Sequence, residues 1–107
     1  LDLPFLRGEN LEDQKIREKI LPLLQSLEGK GFVKGIKVSE IIYGEKLGVN
    51  LYLAQEGVQV KLGHVGFAGK IDKVKRVLEY LRRKGMNSRV IDARFSKKVV
   101  VRPRNGT

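Results

Sequence analysis

The stretch IKVSEIIYGEKLGVNLYLAQEGVQVKL, residues 36–62, decides the fold. It divides into three runs. Ile36–Tyr43 is rich in β-branched residues. In Val49–Ala54, Val49, Leu51 and Leu53 alternate with Asn50 and Tyr52. In Val58–Leu62, Val58, Val60 and Leu62 alternate with Gln59 and Lys61. A period of two sends alternate side chains to opposite faces of a strand, so each run has one face suited to a core. The links Gly44–Gly48 and Gln55–Gly57 are short and contain glycine, which predicts two antiparallel hairpins.

Helical periodicity lies on both sides of these runs. Upstream, Ile16, Ile20, Leu23, Leu24 and Leu27 form one apolar stripe, predicting a helix over about 11–27. Glu12 and Asp13 stand at its start, where the helix dipole favours acids. Pro22 lacks an N–H, and a kink or break is expected there. Leu1–Gly8 reads as a short extended segment, with Pro4 biasing Leu3 away from helix. Gly29, Gly31 and Gly35 punctuate a turn. Downstream, Gly63, Gly66 and Gly69 lead into a helix over about 71–84 with Ile71, Val74, Leu78 and Leu81 as its buried stripe. Arg82, Arg83 and Lys84 suit its last turn, and Gly85 its left-handed end. Val90–Phe95 and Val99–Arg102 read as strands joined by Ser96, Lys97 and Lys98, and Pro103 stops the last. The predicted fold is α+β in the order α-β-β-β-α-β-β, a mostly antiparallel sheet with helices packed on one face. A length of 107 residues supports one domain, residues 1–107.

Composition narrows the function. Hydrophobic residues make up 41% and charged residues 32%, which fits a folded domain rather than a disordered one. No apolar run approaches the roughly 18 residues needed to span a bilayer. The chain opens at Leu1, not Met, and reads as a fragment whose upstream anchor lies outside it. Without cysteine there is no disulfide, thiol nucleophile or thiolate zinc site. Net charge is +10, and residues 70–104 hold 13 of the 22 Lys and Arg against only Asp72, Glu79 and Asp92. The excess therefore sits in the last third. It fits an anionic partner or surface, and equally a solvated basic helix face.

Catalytic patterns are not apparent. His64 is the single histidine and has no neighbouring nucleophile, orienting carboxylate or metal-ligand set in sequence. The acids are scattered. GHVGFAG, residues 63–69, precedes a helix but matches neither GxGxxG nor GxxxxGK[ST], so a tight strand-to-helix turn is the simpler reading. No catalytic, cofactor-binding or metal-binding residue is assigned. The basic last third leaves a nucleic-acid-binding α+β domain as the second reading, although only Tyr80 and Phe95 there offer stacking surfaces.

Four segments together resemble the FtsQ/DivIB family of bacterial cell-division proteins. GVQVKLG (57–63) resembles that family's GxEVRLG strand, and KIDKVKRVLEYLRRKG (70–85) resembles the helix that follows it. VIDARFSKKVVVRP (90–103) resembles its closing hairpin, with Asp92, Arg94 and Phe95 at the Asp, Arg and aromatic positions. DLPFLRG (2–8) resembles its LPxLxG segment. The departures are Ala93, where Leu or Met is commoner, and the Ser96-Lys97-Lys98 turn, where Asp or Asn with Gly is commoner.

The resemblance implies a longer protein with a cytoplasmic tail, one membrane-spanning helix, a POTRA domain and then this extracytoplasmic or periplasmic β-domain, located at the division septum. It implies a non-enzymatic scaffold that binds partners of the FtsB/DivIC and FtsL type. It places the contact at the end of the domain: Phe95, Ser96, Lys97, Lys98, Val99, Val100, Val101 and Arg102. Physical reasoning on the residues agrees. A terminal strand is a natural sheet edge, where a partner segment adds as a further strand. Lys97, Lys98 and Arg102 suit an acidic partner.

Overall fold

The computed structural model describes residues 5–27, 36–54 and 57–103. Leu1–Pro4, the glycine turn at 29–35 and the Gln55–Glu56 part of the second hairpin link lie outside the described residues. Eight elements follow in order: β1 (Phe5–Gly8), α1 (Gln14–Leu27), β2 (Val38–Gly44), β3 (Gly48–Leu53), β4 (Gln59–Gly63), α2 (Phe67–Arg83), β5 (Ser88–Asp92) and β6 (Val100–Pro103). The six strands form one sheet in the order β1-β2-β3-β4-β5-β6. The fold is α+β, as expected, with one more strand at its start.

That added strand is the extended segment before α1. β1 pairs parallel with β2, Leu6 beside Ile41 and Gly8 beside Tyr43. Gly8 makes the approach possible: it has φ 142°, and a Cβ there would stand 2.0 Å from the Tyr43 carbonyl oxygen. The next residue then donates from its backbone, Glu9 N to Tyr43 O at 3.0 Å.

The pairs β2–β3, β3–β4 and β5–β6 are antiparallel, whereas β1–β2 and β4–β5 are parallel. Each parallel pair is bridged by a helix, which carries the chain back to start its next strand in the same direction. Both crossovers step the same way along the sheet from strands pointing the same way. One handedness therefore puts both helices on one face, and α1 touches α2 there. The core lies between. Ile20 and Leu23 of α1, and Ile71, Val74, Leu78 and Leu81 of α2, meet Ile41, Val49, Leu51, Val60, Leu62 and Ile91 of the sheet.

Two helix boundaries differ from the periodicity. α1 starts at Gln14, because the Asp13 carboxylate caps it: Lys15 N donates to Asp13 Oδ1 at 2.8 Å. It runs through Pro22 without a break. Buried Ile20 and Leu23 hold the turns on either side of Pro22, while Glu18, whose carbonyl loses its helix donor, and Pro22 are on the exposed face. α2 starts four residues earlier than its aliphatic stripe, at Phe67. The buried Phe67 ring anchors that first turn, and left-handed Gly66 (φ 70°) redirects the chain into it.

Candidate partner-binding edge

The predicted strand over 90–95 ends at Asp92, because Arg94 folds back on it. Arg94 N donates to Asp92 Oδ1 at 3.1 Å, turning the chain in an Asx-type turn. The guanidinium completes a two-pronged grip, Nε to Oδ1 at 2.9 Å and Nη2 to Oδ2 at 2.6 Å. The Asp92 side chain is only 6% exposed. This hydrogen bonding to Arg94 holds the Asp92 carboxyl below the usual carboxylate range, outweighing the upward push of burial. The same pairing raises Arg94. Between them Ala93 is fully enclosed and donates its N–H to Lys61 O at 2.9 Å. A Leu or Met at this position would overfill the site as it stands.

The link to β6 is consequently longer than the Ser96-Lys97-Lys98 turn expected, running from Ala93 to Val99. It is tied to the body by Lys73 of α2, whose ammonium donates to the Ser96 carbonyl. Phe95 is exposed, with Lys98 Nζ 5.0 Å above its ring. Lys97 and Lys98 are exposed beside it.

β6 is one edge of the sheet and β1 the other. Val99 and Val101 pack against the core on the helix side, while Val100 and Arg102 belong to the opposite face, with Arg102 exposed. The backbone phase of β6 follows from its neighbours. Ala93 N–H reaches Lys61, so Ala93 faces β4 and, by alternation, Asp92 and Val90 face β6. Their partners across the ladder are Val100 and Arg102, which therefore face β5. Val99 and Val101 direct their N–H and C=O away from the sheet, a short edge unpaired among the described residues.

Arg76, Arg82 and Arg83 on α2, Lys84 at its end, Arg89 on β5, and Lys97, Lys98 and Arg102 in the loop and β6 are all exposed. Nearer the start of α2, Lys70 donates to Leu62 O at 2.8 Å, taking up a carbonyl at the bulge between β3 and β4. Burial lowers the pKa of Lys70, with the charge of Lys73 adding to the effect. His64 lies elsewhere, between α1 and the β2–β3 turn. Its Nδ1 is 3.2 Å from Lys19 Nζ, and its Nε2 is 3.4 Å from Lys46 O. Its ring stands edge-on to Tyr43 at 6.2 Å between centroids. Among the described residues, no group of three or more His, Asp or Glu is placed to hold a metal.

An eight-element order with two helical crossovers, and an Asp-x-Arg turn closing β5, together invite comparison with known sequences. The sequence model of the family described as "Cell division protein FtsQ/DivIB, C-terminal" matches residues 1–94. The chain belongs to the FtsQ/DivIB family. Cell division protein FtsQ of Geotalea daltonii is 31% identical over 110 residues, covering 95% of this chain and 40% of that protein. The FtsQ proteins of Geobacter sp. strain M21 and Syntrophotalea carbinolica are 28% and 26% identical, over 40% and 39% of their lengths. The chain thus spans about two fifths of the length of these FtsQ relatives. The matched FtsQ/DivIB span contains the Asp92–Arg94 clamp and stops before Phe95, so the rest of the loop and β6 lie beyond it.

Among the eight residues proposed for binding, Phe95–Val99 form the loop and Val100–Arg102 the strand. What sequence reasoning missed is the clamp that shapes the loop and the lysine that holds it. Asp92 followed two residues later by Arg94 carries an Asx-turn signal, but nothing in the sequence pairs Lys73 with Ser96.

Proposed function

We propose that this chain is a non-enzymatic scaffold domain of a cell-division protein, and that it binds other division proteins of the FtsB/DivIC and FtsL type by accepting a strand at β6. One observation carries the reading: in a chain of this family, β6 is an edge with no strand beyond it among the described residues, its Val99 and Val101 backbone groups point outward, and exposed lysine and arginine flank it. Backbone pairing supplies affinity in such an addition, and the basic rim selects an acidic segment. Residues 1–107 then form one β-domain of a longer, membrane-anchored protein. Its POTRA and transmembrane segments precede Leu1, and the domain lies outside the cytoplasm at the septum.

The test is a binding titration of the chain against the extracytoplasmic segment of its FtsB/DivIC-type partner. Val101→Pro deletes the outward N–H, and should abolish binding while the melting temperature stays within a few degrees of wild type. A folded Val101→Pro variant that binds with wild-type affinity would overturn the assignment of β6. Steeply salt-dependent binding to generic DNA or RNA, with no binding to the segment, would favour nucleic acid instead.

A further inference from the structure

The two ends of the sheet differ in charge. β1, β2, β4 and β5 run one way and β3 and β6 the other, while α1 and α2 return the chain between parallel strands. One end therefore gathers the starts of β1, β2, β4 and β5 with the last turns of both helices and the ends of β3 and β6. Its described residues at 36–38, 53–54, 57–59, 82–89 and 102–103 hold Lys37, Arg82, Arg83, Lys84, Arg89 and Arg102, all exposed, and no Asp or Glu. The nearest acids of α2 and β2 lie further in: Glu79 is one helical turn back from Arg83, and Glu40 is paired with Arg7 at 2.9 Å. The opposite end is mixed, with Glu9, Glu12, Asp13, Glu45 and Asp92 among Lys46, Arg94, Lys97 and Lys98. The helix dipole favours Arg82, Arg83 and Lys84 at the end of α2. It has no bearing on Lys37, Arg89 and Arg102, which reach the same end beside or on β2, β5 and β6. Two large apolar side chains are exposed there too, Phe5 at the start of β1 (71%) and Met86 between α2 and β5 (54%).

We propose that this basic end rests on a membrane surface containing anionic phospholipid. The inference rests on the membrane anchoring proposed above. An anchor upstream of Leu1 leads into the domain through Phe5, so the tether and the basic end share a side of the sheet. Tethering raises the effective concentration of lipid at that side. Each Lys or Arg brought within a Debye length of an anionic bilayer adds attraction. Phe5 and Met86 suit the boundary between headgroups and acyl chains, where an exposed apolar side chain leaves water. This combination favours lipid over nucleic acid, whose phosphates would meet the cations and leave the apolar tips in water. The loop from Ala93 to Val99 lies at the opposite end, so a domain seated in this way holds its proposed binding loop away from the bilayer.

The test is co-sedimentation of the 107-residue chain with lipid vesicles. The chain should pellet with phosphatidylcholine vesicles containing about one third phosphatidylglycerol, and stay in solution with phosphatidylcholine alone. Raising salt toward about 0.5 M should release it. Two double variants make the same change in net charge at opposite ends. Arg83→Glu with Arg89→Glu should weaken vesicle binding about tenfold or more. Lys97→Glu with Lys98→Glu should leave it within about twofold of wild type. Met86→Ser should weaken it several-fold without altering its salt dependence. Melting temperatures check that each variant is folded, and Arg83→Gln with Arg89→Gln replaces the reversal if that variant unfolds. Equal losses from the two reversals would assign the binding to bulk charge and overturn the proposal. So would a chain that ignores anionic vesicles, or one that binds RNA or polyglutamate through Arg83 and Arg89 but not vesicles. Partner binding at β6 without vesicle binding would overturn the lipid contact alone, and vesicle binding without partner binding would overturn the β6 reading alone.

Discussion

At Asp92 and Arg94, a two-residue contact sets where a strand ends. The carboxylate is almost fully enclosed and accepts three hydrogen bonds from one residue. Truncation by Arg94→Ala removes the two from the guanidinium and keeps the backbone one, and should destabilise the domain by about 1–3 kcal/mol in chemical denaturation. The pH dependence has a definite sign. The folded Asp92 carboxyl titrates below its unfolded value, so its contribution is complete above about pH 5. It declines as pH falls past about 3.9, and is gone below the folded value. The stability gap between wild type and Asp92→Asn should therefore close on acidification; a gap of equal size at pH 6 and pH 3 would remove the ion pair as its source. His64 differs, since its contacts are to Lys19 and the Lys46 carbonyl. His64→Ala should complement division as wild type does, and failure of a well-folded variant to do so would give that loop a direct role.

The sheet's two edges are built differently at the level of elements. β1 depends on one glycine, since any side chain at position 8 collides with the Tyr43 backbone. Gly8→Ala should cost roughly 1–3 kcal/mol of strain and raise hydrogen exchange at Glu9, whose N–H is bonded to Tyr43. β6 depends on alternation. Val100 faces β5 opposite Asp92, so Val100→Pro deletes a ladder bond inside the sheet. A loss of about 1–3 kcal/mol follows, in contrast to Val101→Pro, and equal melting temperatures for the two prolines would refute the backbone phase assigned here. α2 serves both the core and the β6 edge. Its inner face is core, and Leu78→Ala should cost about 2–5 kcal/mol. Its outer flank, through Lys73, ties down the loop that leads into β6.

Over the whole molecule, charge and topology converge on the same side. The sheet ends at β6, and exposed Lys97, Lys98 and Arg102 lie in the loop before it and on it. Long-range attraction of this kind is screened by salt within about 10 Å at 0.1 M. Changing Lys97 and Lys98 to Glu should slow association with an acidic partner segment several-fold at low salt and much less at high salt. Stopped-flow association rates at two ionic strengths measure this. A loss independent of salt would mean that the lysines act by contact rather than by field.

Periodicity, turn residues and charge are properties of neighbours along the chain, and they sufficed for the helices, for three strands of the centre and for the basic last third. Of the kink or break expected at Pro22, the break is not realised, because Ile20 and Leu23, buried on either side, outweigh one proline's local preference. The early start of α2 was hidden because Phe67 lies beyond the aliphatic stripe and glycines surround it. β1's place in the sheet, the parallel pairs and the Lys73–Ser96 tie depend on residues far apart in sequence, and no local pattern encodes them. The outward phase of β6 was the hardest to read. Alternation along Val99–Val101 is equally consistent with either phase, and the choice is made by Ala93 bonding to Lys61 across the β4–β5 pair. Residue type determined that this segment would be a strand; only the register of its neighbours decided which of its backbone groups remain unpaired.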